Sequence, residues 1–163
     1  LILNAASKRK MRFIIDEDIY RRPVINYFMK MDRAIPIKPR KDAVEKALKK
    51  ATDALEAGEI IMIFPEGQIT YTGYMIRFKF GVEWILKHKP VPVIPIALVG
   101  LWGSIFSRKY IHDKWRFIPR YFRMKVKVLC GKPIEPEKAT INYLQKIIMH
   151  MKSDAITELP DKS

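Results

Sequence analysis

Apolar and polar positions along the chain alternate between two periods. Ile60 to Phe64 is a short apolar run dense in β-branched residues, which predicts a buried strand over 59–64. Val93–Val99 predicts a second buried strand, closed by Gly100. Shorter strands are predicted at Arg12–Ile15 and at Ala34–Ile37, the latter interrupted by Pro36. Met124, Val126 and Val128 alternate with Lys125 and Lys127, the pattern of an edge strand with one wet face. Helical spacing appears elsewhere. Val44, Ala47, Leu48, Ala51, Ala54 and Leu55 share one face of a helix over 42–57, with Gly58 as its stop. Further helices are predicted at 24–31, after Pro23, at 80–87, before Pro90, and at 141–151. Strands that alternate with helices in this way predict an α/β sandwich in one domain over 1–163, with a frayed tail from 155.

The strand at 59–64 is the most informative element because of what ends it. Pro65 removes a backbone donor, then come a carboxylate, Glu66, and a glycine, Gly67, free to enter turn conformations closed to other residues. A charged group on a sharp turn just past a buried strand is how α/β folds present functional groups. The same pattern also serves as a plain loop turn.

Charge narrows the partners. The chain has 31 Lys and Arg against 17 Asp and Glu, a formal net charge of +14. Residues 101–130 hold eight bases against one acid, Asp113, so half of the excess sits in thirty residues. Seven aromatic residues between Trp102 and Phe122 are interleaved with those bases. That mixture suits an anionic membrane surface, with rings at headgroup level. It also suits single-stranded nucleic acid by stacking, although no nucleic-acid motif accompanies it. The plainer reading is a set of core rings under a solvated basic face. No apolar run is long enough to span a bilayer. The single cysteine, Cys130, allows no intrachain disulfide and reads as a buried thiol. The three histidines are isolated and no metal-ligand spacing, Walker motif or dinucleotide fingerprint is present, so no metal is expected.

The ordered set FPEG at 64–67, QITYTG at 68–73, FKFG at 78–81 and VPVIPIALVG at 91–100 resembles the glycerolipid acyltransferases, the 1-acylglycerol-3-phosphate and lysophospholipid acyltransferases. The segment at 11–40 is similar to the stretch between that family's first and second motifs. EGQITYTG is similar to the branch fused to acyl-ACP synthetase, which reacylates lysophosphatidylethanolamine. The resemblance implies a mixed β-sheet flanked by helices. It implies transfer of a fatty acyl group from acyl-CoA or acyl carrier protein, as co-substrate without a cofactor, to the hydroxyl of a lysophospholipid or lysophosphatidate. It further implies a peripheral protein on the cytoplasmic face of a membrane, with no nucleic-acid partner.

Site residues follow from the resemblance position by position. Arg40 follows the strand where the family's second motif ends in an arginine for the acceptor phosphate. Pro39 occupies the first expected place, so Lys38 is the alternative. Phe64, Pro65, Glu66 and Gly67 are expected at the acceptor site, with Lys79 of FKFG beside the phosphate. Gly81 and Pro95 are expected to shape the site without touching substrate. Arginine suits phosphate because its fork donates two parallel hydrogen bonds. The plainer reading of Arg40 is a solvated base at a helix start.

Two departures stand out. The family's first motif is His-x-x-x-x-Asp, and none of His88, His112 or His150 has an aspartate five positions on. No catalytic residue is therefore assigned within this chain. The pair is expected upstream of Leu1, in a domain truncated at its N-terminus. Family members also often follow FPEG with Thr-Arg-Ser, whereas here Gln68, Ile69 and Thr70 lack the arginine. A non-catalytic lipid-binding module of a larger fusion and a basic nucleic-acid binder are the alternative functions.

Overall fold

The computed structural model describes residues 11–17, 30, 33–38, 40–68, 70, 72–100 and 127–157. They fall into two compact units, residues 1–68 with 79–90 and residues 69–78 with 91–163. The fold is α/β with both parallel and antiparallel strand pairs. The helix expected at 24–31, all but the last four residues of the basic segment at 101–130, and the tail 158–163 lie outside the described residues, apart from Lys30.

The first unit is a three-stranded parallel sheet. Its strands are β1 (Met11–Asp16), β2 (Ile35–Ile37) and β3 (Ile60–Ile63), in the order β2-β1-β3. Met11 pairs with Ile60 and Ile14 with Ile63 on one side of β1. Ile14 pairs with Ile35 and Asp16 with Ile37 on the other. Pro36 is tolerated because β2 has only one partner among the described strands, so a missing donor need not break a ladder.

Helix α1 (Lys41–Glu56) lays the predicted face on this sheet. Ala47, Leu48, Ala51 and Ala54 are buried, and Leu48 and Ala51 pack with Ile14, Ile35 and Ile85. Leu48 is the bulk of that contact; truncation to alanine there would cost about 2–5 kcal/mol. Gly58 ends the helix with φ +76. Its N–H donates to the Leu55 carbonyl and the Glu59 N–H to the Ala54 carbonyl, the paired bonds of a Schellman stop. The chain is thereby turned straight into β3. That strand is half-buried along its length rather than fully buried as expected, because it has one strand neighbour among the described residues. Helix α2 (Gly81–His88) packs against α1 and ends as Lys89 takes the extended backbone that Pro90 demands.

The second unit is built on an antiparallel pair, β4 (Ile96–Val99) and β5 (Lys127–Cys130), covered by α3 (Ile141–Thr157). Ala97 and Val99 point into its core with Ile134, Leu144 and Ala155. The predicted strand at 93–99 is shorter than expected. Pro92 and Pro95 have no N–H to give, so only an isolated bridge, Val93 to Ile134, precedes Ile96. β5 starts at Lys127 and its first three residues are all half-buried, so the expected alternation of wet and dry faces is absent from the described part. Cys130 is exposed, not buried, since it ends the strand beyond the core residues. α3 runs six residues past the predicted end; Ala155, placed in the expected tail, is buried in its last turns.

Candidate functional site

In a parallel sheet every strand ends on the same edge, and side chains just past those ends converge. Here Glu17 follows β1, Lys38 to Arg40 follow β2, and Phe64 to Gly67 follow β3. The register sets them side by side, because Asp16 pairs with Ile37 and Ile14 with Ile63. The FPEG turn and the bases after β2 therefore share the carboxyl edge of the sheet, with β1 between them.

The turn after β3 is closed by a hydrogen bond from the Gly67 N–H to the Phe64 carbonyl, 3.0 Å. Gly67 has φ +64, which side chains with a Cβ rarely adopt. A second constraint fixes the glycine. A Cβ there would lie 2.8 Å from Lys79 Cδ and 3.0 Å from both Cε and Nζ. The Lys79 side chain is thus laid across the bare α-carbon of Gly67. The Lys79 N–H also donates to the Pro65 carbonyl at 2.8 Å. Two motifs separated by ten residues are joined into one surface that carries an ammonium and, on the turn, the half-buried Glu66. Phe64 and Phe80 flank the junction, 51% and 57% exposed.

The bases after β2 are not idle. Lys38 pairs with Glu17 at 3.1 Å. Arg40 takes Asp42 with two parallel bonds, Nη2 to Oδ2 at 2.8 Å and Nε to Oδ1 at 3.3 Å. Both partners are exposed, Arg40 by 70%. The hydrogen bond from Arg40 holds the Asp42 carboxyl below its ordinary value, helped by backbone N–H groups of Ala43 and Asp42 itself. The same hydrogen bond raises the guanidinium. Asp42 escaped sequence reasoning; its signal was an acid two residues after an arginine, in the first turn of a helix, where carboxylates are favoured.

Gly81 begins α2 against α1 and β3. A Cβ there would meet Ile63 Cδ1 at 3.4 Å and Leu48 Cδ2 at 3.5 Å, so the packing is tight but not forbidding. Pro95 belongs to the second unit. Its carbonyl accepts from the Gly131 N–H at 2.9 Å, and its ring lies where a Cβ on residue 131 would fall, 2.7 Å from Cγ. It shapes the approach to β4.

Each described histidine has a local partner. His88 ends α2, opposite the helix end that meets FPEG. It stacks on Trp84 at 3.8 Å with Nδ1 2.8 Å from the Trp84 carbonyl oxygen. His150 lies 3.6 Å from Asp154 on α3. Among the described residues no cluster of three His, Cys, Asp or Glu is placed for a metal, and no helix is long and apolar enough to cross a membrane.

A family model described as Acyltransferase matches residues 1–99, which include β1 to β4 and every element of the carboxyl edge. The chain belongs to the glycerolipid acyltransferases. Its acyltransferase relatives include the 1-acyl-sn-glycerol-3-phosphate acyltransferase LPAT1, chloroplastic, of Arabidopsis thaliana. The two are 30% identical over 139 residues, 82% of this chain and 35% of that protein. The corresponding BAT2, chloroplastic, of Brassica napus is 34% identical over 92 residues, 55% of this chain and 26% of that one. The chain thus spans about a quarter to a third of the length of these two relatives. The crystal structure of the 1-acyl-sn-glycerophosphate acyltransferase PlsC from Thermotoga maritima has the same acyltransferase fold. The TM-score is 0.63 at 18% identity, over 93% of this chain and 59% of that one.

Proposed function

We propose that this acyltransferase domain holds the phosphate of a lysophosphatidate or related lysophospholipid while a fatty acyl group passes to its free hydroxyl. The donor is acyl-CoA or acyl carrier protein, and no cofactor is involved. One observation carries the reading. The sheet gathers the FPEG turn, Lys79 laid across Gly67, and the Arg40 fork on a single edge, in a family whose relatives are named for acylating 1-acyl-sn-glycerol 3-phosphate. Arg40 and Lys79 supply the cations that a phosphate needs. In the reaction the acceptor hydroxyl attacks the thioester carbonyl, the thiolate leaves, and a base takes the hydroxyl proton. The oxygen that becomes negative in the tetrahedral intermediate needs donors. This chain's own contribution is to bind and orient the acceptor.

The protein works at a membrane surface. Its acceptor is a lipid, its net charge is +14, and anionic headgroups attract such a charge. The acceptor headgroup is set at the turn where Gln68 to Thr70 replace the more frequent Thr-Arg-Ser.

The test is transfer of labelled oleoyl groups from oleoyl-CoA and from oleoyl-acyl carrier protein. Lysophosphatidate and lysophosphatidylethanolamine are offered in parallel, both to this 163-residue chain and to a longer form carrying an upstream His-x-x-x-x-Asp. Acylation of either acceptor by the longer form alone is the expected result. Binding of both acceptors with no transfer by either form would replace the enzyme with a lipid-binding module.

A further inference from the structure

We propose that Asp42 is a positioning residue for the acceptor phosphate: it grips the side edge of the Arg40 guanidinium and leaves the end edge aimed at the ligand. This inference rests on the acceptor-phosphate reading above. A guanidinium has two edges able to make paired hydrogen bonds. One uses Nε and Nη2, the other Nη1 and Nη2. Asp42 takes the first, through Nε and Nη2 at 3.3 and 2.8 Å. Nη1 and the second Nη2 proton form the remaining edge. No other group among the described residues takes them.

Asp42 is suited to be the fixed partner. It stands in the first turn of α1, where the free backbone N–H groups of a helix start favour a carboxylate. α1 is in turn anchored through buried Ala47, Leu48 and Ala51. Rigidity therefore passes from the core, through the helix start, to an arginine that is otherwise 70% exposed. A free arginine in that place loses its rotamer freedom each time it binds a phosphate; one already held loses less. The carboxylate also subtracts from the positive field at the site. Both groups face solvent, where that field is weakened by water and salt, so orientation is the larger effect.

Lys38 is held in a different way. A lysine ammonium has three freely rotating donors and no planar fork, so its pairing with Glu17 leaves donors over without fixing their direction. Arg40, rather than Lys38, is therefore the acceptor's anchor.

The experiment measures binding of hexanoyl lysophosphatidate to the chain by calorimetry, with hexanoylglycerol, which lacks the phosphate, as the control. Asp42→Asn is expected to weaken lysophosphatidate binding about three- to tenfold and to leave hexanoylglycerol unchanged. Asp42→Glu, which keeps the charge and a paired grip, is expected to recover most of the loss. In an Arg40→Ala background, Asp42→Asn is expected to do nothing further. Tighter lysophosphatidate binding by Asp42→Asn would overturn the proposal, because Asp42 would then be a competitor for the fork. Unchanged binding, or an equal loss in the Arg40→Ala background, would overturn it as well. If Arg40→Ala itself leaves binding unchanged, the phosphate reading falls and takes this inference with it. If Arg40→Ala weakens binding but Asp42→Asn does not, only the inference falls.

Discussion

The two ends of the parallel sheet carry the same kinds of residues and use them differently. At the amino edge, Glu59 receives two arginines. Arg12 pairs with it from the start of β1, with Nη2 3.4 Å from Oε1, and Arg33 reaches the same Oε1 at 3.0 Å from the turn before β2. Glu59 is 13% exposed and Arg12 18%. Arg33 holds φ +50, an uncommon conformation for a residue with a side chain. At the carboxyl edge, Arg40 meets Asp42 in the open, and Lys38 meets the half-buried Glu17. One half-buried carboxylate serving a half-buried Arg12 and an exposed Arg33 ties three segments together. The exposed Arg40–Asp42 pair leaves guanidinium donors over for a ligand. Burial and stoichiometry, more than residue type, separate a clasp from a site.

The largest expected effect is at the amino edge. Glu59→Ala leaves Arg12 half-buried without its carboxylate and should cost about 2–3 kcal/mol, read as a lower urea midpoint. Acceptor affinity measured well below that midpoint should hold. A fall in acceptor affinity with unchanged stability would break the division between the edges.

Arg40→Ala should do the reverse. Loss of charge-assisted bonds worth about 1.5–3 kcal/mol should raise the acceptor Michaelis constant of the active enzyme about ten- to a hundredfold. Donor constants and the urea midpoint should stay near wild type. Arg40→Lys keeps the charge and loses the fork, so part of the affinity should return. If Lys38→Ala carries the effect instead, the wrong base beside Pro39 holds the phosphate.

Gly67→Ala sharpens the comparison, since it strains the backbone and evicts Lys79 together. The positive φ should cost about 1–2 kcal/mol. The displaced Lys79 should weaken the acceptor as Lys79→Ala does. A double variant no worse for the acceptor than Lys79→Ala alone would show that the glycine acts through the lysine.

The smallest effect is the acid titration of Asp42. Its carboxyl is held below the ordinary 3.8 by the Arg40 hydrogen bond. The stabilising contribution of the pair is therefore complete above that pH and lost as pH falls through the lower, folded value. Wild type and Asp42→Asn should differ in stability by the same small amount from pH 7 to 5 and converge below the folded value. Following the Asp42 carboxyl carbon by NMR checks the midpoint directly. A midpoint above 3.8 would contradict the paired geometry.

Much of this was legible in the chain. Helix α1 and its Gly58 stop follow from a period of 3.6 and one glycine, because a helix must bury one stripe and a Schellman turn needs a positive φ. Strand β3 and the turn after it follow from a β-branched run ended by a proline. These are local properties, written within ten or fifteen residues. Strand ends near Pro92, Pro95 and Cys130 were misjudged because pairing depends on donors and partners far along the chain. Family membership was also legible, because motif order survives where overall identity is low.

What only the tertiary structure decided is which charges meet. Nothing in the spacing says that Lys79 lies across Gly67, that Glu59 closes on Arg12 and Arg33, or that Asp42 takes one edge of Arg40 and leaves the other. Those facts depend on parallel register and on a helix start held by a distant core. Side-chain charges are long and flexible, so their partners are chosen by the fold that surrounds them rather than by their neighbours in sequence.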